Sequence, residues 1–236
     1  MGTDPSAIEQ AVPLTGPQDK VRLHFRKDGA LRWLSHHDLM RTFERLLRRS
    51  LLPFRSSQGF NPRPKLVFAL PLPVGVIGCD ERVDLELNES LAPEEVRERL
   101  NSQSPPGLHF HEAFRVPPRS KPHVVGLTYA VVVPPERRAE LAEALPQARS
   151  QTAWVVHRER PQPRQVDIRP FVRSLDFDED TGRLIMNLAM TSSGTARPEE
   201  VLGMVGLADL WLGGSQVERL ALELADEAGT PGEEGA

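Results

Sequence analysis

Apolar and polar residues alternate in a regular order along the first half of the chain. Val21, Leu23 and Phe25 alternate with polar neighbours, and residues 82–87 show the same period of two, which is typical of half-buried strands. Apolar positions at helical spacing follow the first strand, and a second helical segment begins at Pro93 with two acids in its first turn. The predicted order is β-α-β-β-α-β, the ferredoxin-like pattern.

The second half of the chain repeats this order without clear sequence identity. A strand at residues 126–133 precedes a helix that begins at Pro135, and a hairpin with an acidic turn follows. The predicted fold class is therefore α+β, with two tandem ferredoxin-like (βαββαβ) domains; the alternative is one continuous α+β domain whose sheets merge. The predicted divisions are a disordered leader at 1–19, a basic domain at 20–114, a proline-rich linker at 115–123, a second domain at 124–225 and an acidic disordered tail at 226–236.

The helix after the first strand has two chemically different faces. Ser35 is its predicted N-cap, and Asp38 is the acid of a short capping box. Pro53 cannot continue a helix, so the helix must end before it. The apolar face consists of Leu39, Phe43, Leu46 and Leu47, with Ser50 at its end. The opposite face consists of His37 and four arginines, here named the arginine stripe: Arg41, Arg45, Arg48 and Arg49.

Charge is distributed unevenly along the chain. Residues 21–65 contain eleven Lys or Arg and three Asp or Glu, a net charge of +8, whereas the whole chain has a net charge of −4. A basic segment in an acidic protein predicts a site for an anionic partner. An ordinary solvated helix face is the alternative, but such a face mixes signs, and here Glu44 is the only internal acidic partner. Most of the positive charge is Arg, which favours bidentate contacts with phosphate.

A stiff loop with the sequence QGFNPRPK occupies residues 58–65. Its glycine and prolines restrain the backbone, and it presents one aromatic side chain beside basic ones. Such an arrangement suits base stacking combined with phosphate binding, although Phe60 as a core residue under the loop fits the sequence equally well. The predicted RNA- or anion-binding set is Arg32, His37, Arg41, Arg45, Arg48, Arg49, Phe60, Asn61, Arg63 and Lys65.

Histidines supply the candidates for acid–base or metal chemistry. His36, His37 and Asp38 are the catalytic candidates, but no nucleophile motif accompanies them, and adjacent histidines on a helix point about 100° apart and are poor joint ligands. We expect His36 to be a core histidine and Asp38 to close the cap. His109 and His111 share one face of a predicted strand without an evident third ligand. No metal and no cofactor are therefore predicted.

The single cysteine, Cys79, limits the chemistry and indicates the compartment. One thiol excludes a disulfide framework and a protein-held iron–sulfur cluster, and it fits a reducing cytosol. The first residues lack the basic region and apolar core of a signal peptide, and no apolar run approaches the length of a membrane span. We expect a cytoplasmic protein with no membrane partner.

A long pattern runs from Arg22 to Lys65. It reads R-x-x-F-x-K-x-G-x-x-R-W-L-S-H-x-D-L-x-R-x-x-x-R and continues into P-x-x-x-S-x-G-F-N-P-R-P-K. This pattern resembles the radical-SAM-linked domain family; the likeness is specific over about residues 21–90, and residues 166–170 (VDIRP) look like a further family element. Members of that family occur fused to, or encoded beside, cobalamin-type radical SAM proteins, and their own biochemical role is undefined. The resemblance implies a radical SAM partner, not a reaction.

Two functions of different classes fit these observations. The first is a non-catalytic RNA-binding adaptor that presents a structured RNA, tRNA or rRNA, to a radical SAM protein, with no DNA specificity expected. Ferredoxin-like domains with a basic cleft recur in RNA-handling proteins, which is an analogy of fold. The second is an enzyme: a metal-independent ribonuclease with His36 or His37 as its base, or an enzyme acting on an anionic small molecule.

The docking surface for the radical SAM partner is expected in the second half of the chain. The basic segment is poorly suited to a dry protein interface, because interface cores are depleted in charge. Trp211 and Leu212 are the predicted partner-binding residues, since large apolar side chains serve as anchors in interfaces. Trp154 is expected to be core.

Overall fold

The chain forms eleven strands and five α-helices within the residues that the computed structural model describes, which are 19–212 and 215–227. The strands are β1 (Asp19–Lys27), β2 (Leu66–Phe68), β3 (Ile77–Leu87), β4 (Leu108–Arg115), β5 (Val124–Val132), β6 (Val155–Arg158), β7 (Arg164–Asp167), β8 (Val172–Asp178), β9 (Arg183–Thr191), β10 (Gly194–Thr195) and β11 (Val217–Leu224). The helices are α1 (His36–Arg49), α2 (Pro93–Gln103), α3 (Pro135–Ser150), α4 (Pro198–Met204) and α5 (Ala208–Leu212). No helix of this part of the chain is long and apolar enough to cross a membrane.

One nine-stranded sheet joins the two halves of the chain. Its central path is β10-β9-β5-β11-β3-β1-β4, β2 also pairs with β3 and β8 with β9, and β6 and β7 form a separate ribbon. All of these neighbours are antiparallel except β11 and β3, whose parallel pairing connects the halves through Glu218 with Ile77 and Arg219 with Gly78. The α+β class is confirmed. The sheet is continuous, as in the alternative of merged sheets.

The core of the first half lies between the sheet and the apolar face of α1. Phe43 of this helix packs edge-on against Phe25 of β1 and Phe68 of β2, with ring centroids 5.2 and 5.0 Å apart. The predicted cap is confirmed: the Ser35 hydroxyl oxygen accepts a hydrogen bond from the Asp38 backbone N–H (3.2 Å) and donates one to the Asp38 carboxylate (2.6 Å). The cap fixes the start of α1, and burial of the apolar face turns the polar face away from the core.

A second core fills the other half of the molecule. It lies between β5, β9, β11 and the helices α3 and α4, and Trp154 is buried within it at 1% exposure, as expected. The indole N–H of Trp154 donates to the carbonyl of Ala148 (3.2 Å), so its polar atom is satisfied in the interior.

The predicted linker and the start of the predicted tail contact the face of the sheet that lies opposite α1 in the first half of the chain. In the connection between β4 and β5, the Ser120 carbonyl accepts from Lys20 (2.8 Å) and the Ser120 hydroxyl donates to Asp226 (2.9 Å). Asp226 and Glu227, in the turn after β11, both pair with Arg22. Residues 1–18 of the predicted leader and 228–236 of the predicted tail lie outside the described residues.

A buried ion pair lies where β11 meets β3. Two nitrogens of Arg219 donate to the two carboxylate oxygens of Glu81 (2.8 and 2.5 Å), and further bonds reach the carbonyls of Leu70 and Pro71 (both 3.2 Å). Both side chains are almost completely buried. Burial alone would lower the pKa of Arg219, but the charge and hydrogen bonds of Glu81 outweigh it and raise the pKa, so the pair remains ionised.

We predict that Glu81→Gln lowers the free energy of unfolding by about 3–5 kcal/mol, because it leaves the Arg219 charge buried without a counter-charge. Replacement of both residues, Glu81→Leu with Arg219→Leu, should cost less than the single change. Urea unfolding followed by circular dichroism measures both. The matched control is Glu223→Gln, which removes the exposed partner of Arg173 in the same sheet and should cost less than about 1 kcal/mol. An equal loss in the test and control variants would contradict the assignment.

Candidate functional site

The exposed face of α1 carries the arginine stripe. His37, Arg41, Arg45, Arg48 and Arg49 are all exposed, whereas the four apolar residues of the opposite face are buried. The helix therefore has the orientation that its sequence predicts, with the stripe toward solvent.

Only part of the basic segment is available as surface charge. Six of the eleven basic residues are buried or lie within 4.0 Å of a carboxylate, and these are Arg22, Arg26, Lys27, Arg41, Arg55 and Lys65. The other five have no carboxylate partner among the described residues, and these are Arg32, Arg45, Arg48, Arg49 and Arg63. The net charge of +8 is therefore not a measure of the surface, and the unbalanced charge is concentrated on α1.

Neighbouring neutral groups hold some of these arginines. Arg49 donates to the Gln103 carbonyl at the end of α2 (2.9 Å), and Arg45 makes a long contact with the Thr42 hydroxyl (3.5 Å). The Arg32 guanidinium lies over the Trp33 ring, 4.6 Å from its centroid. Neutral partners orient a guanidinium without cancelling its charge, so these side chains keep donors for an anion.

The loop after α1 is a tight hairpin with an aromatic tip. The Ser57 N–H donates to the Arg63 carbonyl (2.8 Å), the Arg63 N–H donates to the Ser57 hydroxyl (3.1 Å), and Gly59 has a φ of 134°, which favours glycine. Phe60 is fully exposed, with a relative accessibility of 105%. The reading of Phe60 as a core residue is therefore wrong, because the hairpin bonds hold the tip away from the sheet. At the base of the hairpin, Lys65 contacts Glu86 (3.4 Å).

The three catalytic candidates of α1 do not form an acid–base pair. The His36 ring packs edge-on against Phe68 (centroids 5.3 Å apart), and burial, with the charges of His37 and Lys27, lowers the pKa of His36. Asp38 bonds to Ser35 and lies 3.3 Å from Arg41; the Ser35 hydrogen bond contributes most to its lowered pKa. His36 thus behaves as a packed neutral histidine and Asp38 as a cap.

The two histidines of β4 do not form a joint site either. His111 lies 2.9 Å from Asp80 of β3, whereas His109 pairs across the sheet with Arg26. His24, on β1, also contacts Asp80 (3.1 Å). The sequence gives no signal that marks His24 or Asp80 as a site residue. The alternation along β1 and β3 indicates only the face of the sheet on which each side chain lies.

Trp211 lines a shallow cleft between the two halves. The cleft also contains Trp33, Val74, Gly75 and Val217. Trp211 is half-buried, whereas more than half of the Trp33 and Val74 side chains is exposed. The side chain of Leu212 lies outside the described part of the chain.

The family described as "Uncharacterized protein conserved in bacteria (DUF2344)" matches residues 20–198. The chain belongs to this family. The DUF2344 match includes the arginine stripe and the Phe60 hairpin and ends before β11 begins. No curated protein matches the chain. Among solved structures, the crystal structure of an unknown protein from Galdieria sulphuraria matches with 12% sequence identity, and the match covers 89% of this chain and 99% of the other chain. Its TM-score of 0.26 is too low to support a conclusion about the fold.

We predict that Phe60→Ala changes the free energy of unfolding by less than about 0.5 kcal/mol, because the side chain buries no surface. Phe43→Ala, which removes a buried ring of the same size from the neighbouring helix, should cost about 3–5 kcal/mol. Urea denaturation of the two variants tests the contrast. A Phe60→Ala loss approaching that of Phe43→Ala would mean that the hairpin packs against the protein surface.

Proposed function

We propose that this chain is a cytoplasmic, non-catalytic RNA-binding accessory protein that presents tRNA or rRNA to a radical SAM partner. The observation that carries the RNA proposal is the concentration of unbalanced arginine charge on α1, close along the chain to a fully exposed Phe60 on a stiff hairpin. Arginine forks bind phosphate in a bidentate manner, and an exposed ring stacks on an unpaired base.

The spacing of the stripe suits a nucleic-acid backbone. Arg41, Arg45 and Arg49 follow one another at four-residue intervals, about 6 Å apart along the helix axis, so their guanidinium groups are placed to meet successive positions along a chain of phosphates. Arg32, beside Trp33, precedes α1 along the chain, and Arg63, in the hairpin, follows it; we include both in the proposed basic surface. This surface, which also includes His37, Asn61 and Lys65, is the proposed RNA interface.

The geometry around His36 favours the adaptor over the enzyme. A general base needs a hydrogen-bonding orienter and access to the proton that it abstracts. His36 instead packs on Phe68, and the neighbouring carboxylate of Asp38 is held by Ser35 and Arg41.

We also propose that each half of the chain is a ferredoxin-like unit. The strand orders β4-β1-β3-β2 and β8-β9-β5-β11 support this, because both are antiparallel and follow the βαββαβ connectivity once the β6–β7 ribbon is regarded as an insertion.

The partner is proposed from the resemblance of residues 21–90 to the radical-SAM-linked domain. We propose Trp211, with Leu212, as the docking surface. The exposed apolar rim beside Trp211, formed by Trp33 and Val74, supports this location, since large apolar side chains in a cleft serve as interface anchors.

We predict that Arg45→Glu with Arg48→Glu weakens binding of a fluorescently labelled tRNA and flattens its salt dependence. Each phosphate contact that is lost should reduce the slope of log Kd against log salt concentration by about 0.7–0.9. Fluorescence anisotropy at several salt concentrations measures the slope.

The matched control for this double variant is Arg119→Glu with Lys121→Glu. It makes the same change of net charge at two exposed residues of the β4–β5 connection, which contacts the face of the sheet opposite α1. The control should keep most of the wild-type slope of log Kd against log salt concentration. Equal slopes in the wild-type protein and the α1 variant would show that the stripe is only solvated surface, and cleavage of the RNA in the presence of EDTA would favour the ribonuclease.

We predict that Trp211→Ala and Val74→Asp each reduce co-purification with the radical SAM partner and leave the Kd for RNA unchanged. Trp211 is half-buried, so its variant tests folding as well; Val74 is exposed on the same cleft and is the safer change. The thermal unfolding temperature of each variant is measured alongside its pull-down, to show that the variant is folded. Undiminished co-purification of a folded Val74→Asp variant would place the docking surface elsewhere.

A further inference from the structure

A β-bulge on β4 brings two consecutive side chains to one face of the sheet. The pairing of β1 with β4 shifts between His24 and Phe25, so that His24 pairs with Glu112, Phe25 pairs with Phe110, and His111 is the extra residue. Phe110 points into the core, whereas His111 and Glu112 both reach the His24 side. This face lies opposite α1, because the alternate residues of β1 pack in the core beneath that helix.

Three side chains from three adjacent strands converge there. His24 Nδ1 and His111 Nε2 lie 3.1 and 2.9 Å from the same oxygen of Asp80, Oδ1, and the three atoms all lie within 4.8 Å of one another. We propose that His24, Asp80 and His111 form a binding site for a divalent transition-metal ion, with Zn²⁺ as the best fit.

The donor set and its spacing suit this ion. Two imidazole nitrogens and one carboxylate oxygen are ligands that Zn²⁺ accepts, at bond lengths of about 2.0–2.2 Å. Ligand atoms around a tetrahedral ion at that distance are about 3.3–3.4 Å apart. The two contacts to Asp80 Oδ1 need to open by only a few tenths of an ångström, and the two histidine nitrogens lie within 4.8 Å of each other. Glu112, whose carboxylate lies 3.3 Å from His24 Nδ1, is close enough to supply a fourth ligand or to bond a water in that position.

The second nitrogen of His24 points to the same conclusion. His24 is buried at 7% exposure, and its Nε2 has no hydrogen-bond partner among the described residues. The nearest carboxylate is Glu227, with Oε1 at 3.9 Å. A metal-bound histidine directs the N–H of its other nitrogen to a carboxylate, so Glu227 stands where such an outer partner belongs.

The charges around the cluster attract a cation in spite of the arginines within it. The connected ion pairs contain five carboxylates and two guanidinium groups, a net charge of −3 with both histidines neutral; they are Asp80, Asp84, Glu112, Asp226, Glu227, Arg22 and Arg82. Arg82 contacts Asp80 through Oδ2 (2.6 Å) and leaves Oδ1 to the histidines.

The test is a Zn²⁺ titration of the full chain without an affinity tag, after EDTA treatment and removal of the chelator. Competition with a chromophoric chelator should give one tight site per chain, and Co²⁺ should give the visible absorption of a four- or five-coordinate site. His111→Ala should lower the affinity by at least about 100-fold, since loss of an outer partner alone costs 10–100-fold. His111 is partly exposed, so this variant should fold.

His109→Ala is the matched control, because it removes an exposed histidine from the same strand two residues away. The control should leave both stoichiometry and affinity unchanged. Unchanged binding in His111→Ala, an equal loss in His109→Ala, or loss only on replacement of His36 and His37 would each overturn the proposal, leaving an ordinary His–Asp–His hydrogen-bonded cluster. The outcome is independent of the proposed RNA binding, which involves the other face of the sheet.

Discussion

The pairing of β11 with β3 is the contact on which the rest of the molecule depends. It joins two antiparallel strand systems into one sheet through a short parallel contact at Ile77 and Gly78. A bare strand edge at this point would expose unpaired backbone groups, and buried polar atoms at the junction need hydrogen-bond partners. The buried Arg219 side chain finds such partners in Glu81 and in two carbonyls of the segment between β2 and β3.

The two faces of the first half of the sheet differ in chemistry: one packs an apolar core beneath α1, and the other carries a network of charged and polar side chains. Alternate residues of β1 bury Val21, Leu23 and Phe25 beneath α1 and direct Arg22 and His24 to the opposite face. Arg22 is fully buried and pairs with Asp84 as well as with Asp226 and Glu227 from the turn after β11. The arginine stripe therefore lies in solvent, while the polar network on the other face lies partly beneath the C-terminal turn and the β4–β5 connection.

Local features of α1 were predictable because their causes are local. The Ser35 cap, the end of the helix before Pro53 and the division into apolar and basic faces all depend on residues within a few positions of one another. The strand alternation of β1 and β3 and the α+β class follow from the same short-range patterns. The pattern could not decide whether Phe60 lay in the core or in solvent, because the hairpin bonds between residues 57 and 63 determine that.

The sequence by itself determined which side chains share a face of each element, since the period of a helix or strand is set by backbone geometry. It did not determine which elements meet. The merging of the two halves, the pairing of Arg22 with Asp84, and the meeting of His24, Asp80 and His111 all depend on strand register between distant segments. A single bulge places His111 and Glu112 together on the face that carries His24, because one extra residue changes the face that the following side chain occupies. Only the tertiary structure could decide these contacts.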